Sequence, residues 1–358
     1  MGTKKILYYE VMRIAACFFV IFHHTGTEGF FLFSQYEPGT VRFWIYLSAS
    51  VFCTFSVPLF FAISGALMLG REKESFETLW KKRILKIIII LILVSFMYYM
   101  EKILTEGGAF SIKVFLKKLY VGKVKTCLWY LYAYIAYLIS LPFLKTLVQN
   151  LEDKFFYYMF GIGIFWNGVV PVAEYLLWQG RHTINGNLRP GWLVSNIVLY
   201  PCLGYFLEHR LDIRKAKKML LPMWAVNIVS VLISCGMTYY KVKITGVCTQ
   251  SDSQAFHSAF TLMNCTSIFI SVKYLTGKPG VWERAEKWIY SVGSCTFGIY
   301  LLHQLVKDRA VIKALLIWLQ ASGMNDLAAV FLWCLVIMLI SYVITLLLKK
   351  IPLAGKWI

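Results

Sequence analysis

YYEVMRIAACFFVIFHHTG, residues 8–26, decides how the rest of the chain is read. Its middle is apolar enough for a bilayer-crossing helix, which needs roughly 20 such residues. Yet Glu10, Arg13, His23 and His24 lie within or beside it. An ionisable side chain near the bilayer centre costs about 2.5–3.5 kcal/mol on insertion scales, so one found there usually marks a functional path. The alternative is that Glu10 and Arg13 snorkel to one surface while the histidines mark the other. Both readings stand on periodicity, although snorkelling accounts less well for Arg13, which lies deeper than Glu10.

Helix geometry relates the four residues. Eleven positions at about 100° each make three turns plus about 20°, which puts Arg13 and His24 on one face, about 16 Å apart along the axis. His23 points about 80° away from Arg13. Glu10 lies one turn before Arg13, close enough for an ion pair.

Similar apolar runs recur outward from this one. They predict about ten spans, at 8–30, 44–69, 84–101, 128–147, 155–176, 191–207, 220–238, 256–275, 288–305 and 327–348. Of the 358 residues 59% are hydrophobic and 15% charged, against about 25% charged in ordinary soluble domains. The expectation is an all-α, polytopic protein forming a single membrane domain over residues 1–358. The polar stretch 102–127 does not span. Its core FSIKVFLKKLYV has helical apolar spacing and reads as a surface helix, as does the short apolar stretch 310–320. The N-terminal run has no small-residue cleavage site and reads as a retained first span.

The net charge is +19. Its basic residues sit in short loops between apolar runs, a pattern of membrane insertion and attraction to anionic lipid, and no nucleic-acid partner is expected. With ten spans, the loops sharing a side with the termini hold 22 Lys+Arg and the opposite loops 14, which places both termini in the cytoplasm. The nine cysteines include no CxxC pair and read as packing residues. No P-loop, GxSxG, HExxH or zinc-ligand spacing occurs, so no metal is expected.

The spacing of Arg13 and His24, ten residues between them in the first span, resembles the signature of the acyltransferase 3 family of integral-membrane O-acyltransferases. VPLFFAISGALML (57–69) is similar to that family's second span, and KKRILK (81–86) to its basic motif after it, with Lys86 where a second arginine is usual. CLWYLYAYIAYLISLP (127–142) resembles its LWFLY segment, with Cys127 where a histidine is common. LGYFLEHRL (203–211) and TFGIYLLHQLV (296–306) resemble later signatures. The resemblance implies transfer of an acyl group, acetyl by default with succinyl open, from cytoplasmic acetyl-CoA to a hydroxyl of an extracytoplasmic acceptor. That acceptor would be a cell-surface glycan or lipid-linked sugar, and the protein would sit in the plasma membrane.

The chemistry fits those residues. Acyl transfer from a thioester to a hydroxyl needs a base or an acyl-carrying nucleophile. Histidine suits either role, and the resemblance assigns His24 and Arg13 to catalysis and donor binding. Arg83 and Lys86, with Lys81 and Lys82, suit the phosphates of coenzyme A, or form an ordinary positive-inside flank. Ser64 beside Gly65 reads as close helix packing, with a nucleophile conceivable. His303 either joins His24 on the acceptor side or sits at the interface. Trp129 and Tyr130 fit an aromatic belt or a sugar-stacking surface. Glu174, His182, Asp252 and His257 lie at outer ends of spans, more in keeping with solvated positions than with acceptor contacts. The competing reading is a polysaccharide or small-molecule transporter or flippase, since intramembrane charges mark ion paths equally well.

Overall fold

In a computed structural model, which describes residues 6–71, 75–248, 256, 260–276, 282, 284–355 and 357, every regular element is a helix. Lipid offers backbone groups no partners, so a spanning segment must satisfy them internally, and a helix does. Six helices are long and apolar enough to cross a membrane: α2 (Val41–Met68), α3 (Phe76–Glu106), α5 (Thr126–Asn150), α6 (Asp153–Trp178), α8 (Ile213–Thr245) and α13 (Asp326–Lys350). The helices α10 (Glu286–Gly293) and α11 (Thr296–Lys307) together make a seventh, bent by 66°. Reaching the expected ten requires α1 (Leu7–His23), α7 (Asn196–His209) and α9 (Thr261–Thr276), of 17, 14 and 16 residues. These are interior helices. In α7, residues 198–207 are all buried, so protein rather than lipid is their surrounding medium. The remaining helices are α4 (Ile112–Tyr120), α12 (Ala310–Ala321) and the short α14 (Pro352–Gly355).

The last long helix shows how the sequence is solvated. Leu332, Leu335, Leu339, Val343 and Leu347 recur at helical spacing and are all exposed, while Trp333 and Ile337 on the other side are fully buried. A helix apolar all round, with one bare face, is built to face hydrocarbon. In α4 only Phe115 is buried, while Ile112, Val114 and Leu116 are exposed beside Lys113, Lys117 and Lys118, which suits a helix lying in an interface.

Helix α1 runs through the centre, touching α2, α9, α10, α11 and α13. Helices α2 and α7 approach backbone to backbone through two glycines. A Cβ on Gly65 would sit 2.0 Å from the Pro201 carbonyl oxygen, and one on Gly204 would sit 1.8 Å from that of Ala62. Such close approach replaces the hydrophobic drive that lipid cannot supply. Near the start of α1, Tyr8 donates to Glu208 (2.6 Å), which also takes Lys273 (2.9 Å), joining α1, α7 and α9.

Several boundaries differ from the sequence expectation. The first span stops at His23, not residue 30, and gives way to 3-10 turns at Gly26–Glu28 and Leu32–Gln35. Gly26 takes φ +63°, a left-handed turn open to glycine at little cost. The stretch 288–305 is two helices rather than one. Thr296 Oγ1 donates back to the Gly293 carbonyl (2.9 Å), and Lys349 Nζ takes the Ser294 carbonyl (2.7 Å), so groups released at the break are paired again. The span expected at 220–238 extends over Ile213–Thr245.

Candidate functional site: a basic cleft and a histidine pair

A cleft of ≈ 440 Å³ opens between α1, α2, α3, α5 and the α10–α11 break. Lys82, Arg83 and Lys86 form its basic part, and Arg13, Ser64 and Tyr130 line it further along. Lys82 and Arg83 lie in a π turn, Leu79–Ile84, wider than an α-helical turn, and Lys86 lies in the α-helical turn that follows it. Lys81 does not join them. It turns outward to Glu77 (2.8 Å), with both side chains exposed. Basic side chains in a cleft whose remaining wall is mainly aromatic and aliphatic suit a ligand with an anionic head and a slender neutral tail.

Arg13 is held from behind. Its guanidinium donates to Glu10 Oε1 at 2.6 Å, and 29% of its side chain stays exposed toward the cleft. Glu10 is itself only 4% exposed, so it does not snorkel to a surface. Its second oxygen lies against Gly293, the last residue before the helix break, where a Cβ would come within 2.3 Å. Glycine there lets α10 close on α1 and keeps the Glu10–Arg13 pair in place.

Val20 and Tyr300 are the cleft-lining residues farthest along α1 and α11. One helical turn beyond these residues are His24 and His303, which pair with each other: His24 Nδ1 and His303 Nε2 are 3.0 Å apart and the rings are nearly parallel. His303 is fully buried, and its Nδ1 lies 2.5 Å from the Tyr300 carbonyl oxygen. His24 is therefore not a wall of the cleft but the next group past its end. His23 goes elsewhere, stacking on Phe30 with ring centroids 4.1 Å apart. Lys307 Nζ donates to the His24 carbonyl at 2.7 Å, capping the C-terminus of α1 where a cation is favoured.

The other sequence candidates fall as follows. Ser64 spends its hydroxyl proton on the Phe60 carbonyl one turn back (2.9 Å), a bond that lines the cleft without activating the oxygen. Tyr130 stacks on Tyr134 and meets Tyr300 edge-on, tying α5 to α11. Trp129 is exposed, outside the cleft. Glu174 and His182 line a separate pocket near the end of α6, where Glu174 accepts from the Ile184 amide (2.6 Å). Asp252 and His257 lie outside the described residues. Among the described residues, no cluster of three or more His, Cys, Asp or Glu could hold a metal ion. Lys307 and Tyr300 escaped the sequence reading. Lys307 counts there only as a loop cation, and Tyr300 only as part of the TFGIYLLHQLV segment, with no role of its own.

The model of the acyltransferase 3 family, described as an acyltransferase domain, matches residues 6–348, nearly the whole chain. The chain belongs to that family, and it is a membrane acyltransferase. No curated protein and no solved structure matches it significantly.

Proposed function

We propose that this acyltransferase takes its acyl group, acetyl by default, from a coenzyme A thioester on the cytoplasmic side. It passes the group to a hydroxyl of an extracytoplasmic acceptor, a cell-envelope glycan or lipid-linked sugar. The protein then lies in the plasma membrane with both termini cytoplasmic. The observation that supports this best is the order along α1: Arg13 stands in the cleft with Lys82, Arg83 and Lys86, and His24 comes one helical turn past Val20, the last residue of α1 that lines it.

On the proposed route the anionic head of the donor pairs with the three basic side chains, and the neutral pantetheine arm fills the aromatic part of the cleft. Arg13 meets the donor deeper in, where its planar fork can neutralise a phosphate or hydrogen-bond a carbonyl oxygen carrying developing charge. The acceptor hydroxyl oxygen attacks the thioester carbon while His24 takes the hydroxyl proton. The C–S bond breaks, the acceptor ester forms, and the proton on His24 passes to the departing thiolate. Histidine serves both halves because its ordinary pKa lies near neutrality.

The test is purified protein in nanodiscs with acetyl-CoA and a glycan acceptor, scored by coenzyme A release and by mass of the acceptor. Mass spectrometry of envelope glycans from cells with and without the protein then names the acceptor. Absence of acyl transfer together with glycan movement across sealed vesicles would overturn the reading in favour of a transporter.

A further inference from the structure

We infer that His303 is a positioning residue that holds His24 in a single tautomer, leaving His24 Nε2 as the basic nitrogen. The inference rests on His24 being the base, and goes beyond it by naming the atom and what selects it.

The chain of reasoning begins at Tyr300. Its backbone carbonyl oxygen can only accept, and His303 Nδ1 lies 2.5 Å from it. Nδ1 therefore carries the hydrogen. The opposite assignment would set a ring lone pair against a carbonyl lone pair at that distance. A neutral imidazole has one N–H, so His303 Nε2 has the lone pair. This Nε2 faces His24 Nδ1 at 3.0 Å, and the only hydrogen available to that contact is one on His24 Nδ1. His24 Nε2 is then the nitrogen with the free lone pair. Hydrogen bonds run one way, from His24 to His303 to the Tyr300 carbonyl. No acidic residue is involved, yet the logic is that of a carboxylate orienting a catalytic histidine.

Three contacts make the selector rigid. His303 is fully buried. Its carbonyl partner lies one turn back on its own helix, so the ring is keyed to α11. Lys307, one turn further along the same helix, holds the His24 backbone carbonyl at 2.7 Å. Thus α11 grips His24 by both side chain and main chain. Tyr300 also lines the cleft, so one residue borders the proposed donor path and sets the polarity of the pair.

The experiment uses the full chain in nanodiscs with ring-15N histidine. The six histidines are assigned by single substitutions. The expected spectrum has His24 protonated on Nδ1 and bare on Nε2 at neutral pH. His303→Leu, which cannot accept a hydrogen bond, should release that preference and lower kcat at least tenfold, with the acetyl-CoA KM unchanged because the basic end of the cleft is untouched. His303→Gln, whose side-chain carbonyl can accept in the same region, should restore the Nδ1–H form and most of kcat. A parent spectrum with His24 protonated on Nε2, or a His303→Leu spectrum identical to the parent, overturns the inference whatever the activity. The expected spectra combined with full turnover in His24→Ala instead overturn the base assignment and the catalytic half of the inference with it. The parent spectrum decides the tautomer even if His303→Leu does not fold.

Discussion

Gly293→Ala tests whether the Glu10–Arg13 pair is held for function. The added Cβ would lie 2.3 Å from Glu10 Oε2 and 2.8 Å from Glu10 Cβ. Real Cβ contacts essentially never fall below 3.0 Å, so the carboxylate must shift by roughly 0.7 Å, the difference between 3.0 and 2.3 Å. Glu10 is buried and bonds Arg13 at 2.6 Å, so the displacement passes to the guanidinium in the cleft. A misplacement of about 1 Å can cost on the order of 100-fold in rate. The expected loss in kcat/KM for acetyl-CoA is therefore between about 10-fold and 100-fold, or about 1.4–2.7 kcal/mol of transition-state stabilisation. The assay is coenzyme A release in nanodiscs, with thermal unfolding run in parallel to exclude loss of fold. The route through Glu10 is isolated by repeating the substitution in Glu10→Ala. With the carboxylate gone the alanine has less to displace, so the second cost should be much smaller than the first. Parent-like turnover in Gly293→Ala, or an undiminished cost in the Glu10→Ala background, would refute the reasoning.

Arg83→Ala should raise the acetyl-CoA KM several-fold with a smaller effect on kcat, while Lys81→Ala, which loses only an exposed pair with Glu77, should stay near the parent in the same steady-state assay. His24→Ala should abolish transfer with the unfolding temperature retained, and His23→Ala, which loses a stack on Phe30, should keep most activity. Gly204→Ala puts a Cβ 1.8 Å from the Ala62 carbonyl oxygen, an overlap that backbone must relieve, and should destabilise the protein by about 3 kcal/mol or more, read as a lowered Tm in detergent. Reporter fusions after Asn150 and after Gly246 should report opposite sides of the membrane, the first cytoplasmic.

Much of this was legible because it is local. The first span carries both its apolar run and its charged interruptions, and a periodicity of 3.6 was enough to separate His24 from His23 and to put Glu10 beside Arg13. Both arrangements appear in the fold. What escaped depends on chain-distant contact or on small departures from ideal helix. His24 meets His303 across 279 positions; this is one of the two alternatives the sequence leaves open for His303, and no local pattern chooses between them. Lys81 parts from Lys82, Arg83 and Lys86 because it takes another face of α3 and turns back to Glu77, a separation that reading the four as one basic run passes over. The bend after Gly293 lies in a window whose average hydropathy still reads as one span, although the Gly293–Ser294 step within it is a local signal for a kink. The span count also differs: the sequence reading takes 191–207 as a span, while only six to seven segments are long and apolar enough to cross by themselves. Length rules assume lipid contact, and α7 with its 14 residues is wrapped in protein.

Those short interior helices change the scale of the transport problem inside this reaction. At about 1.5 Å per residue, α7 is about 21 Å long, well short of the roughly 30 Å of a bilayer's hydrocarbon. Arg13 and His24 stand about 16 Å apart along α1. On the proposed route the acyl group would therefore have about half a membrane to cross rather than a whole one, and the nucleotide that delivers it would never have to leave its own compartment.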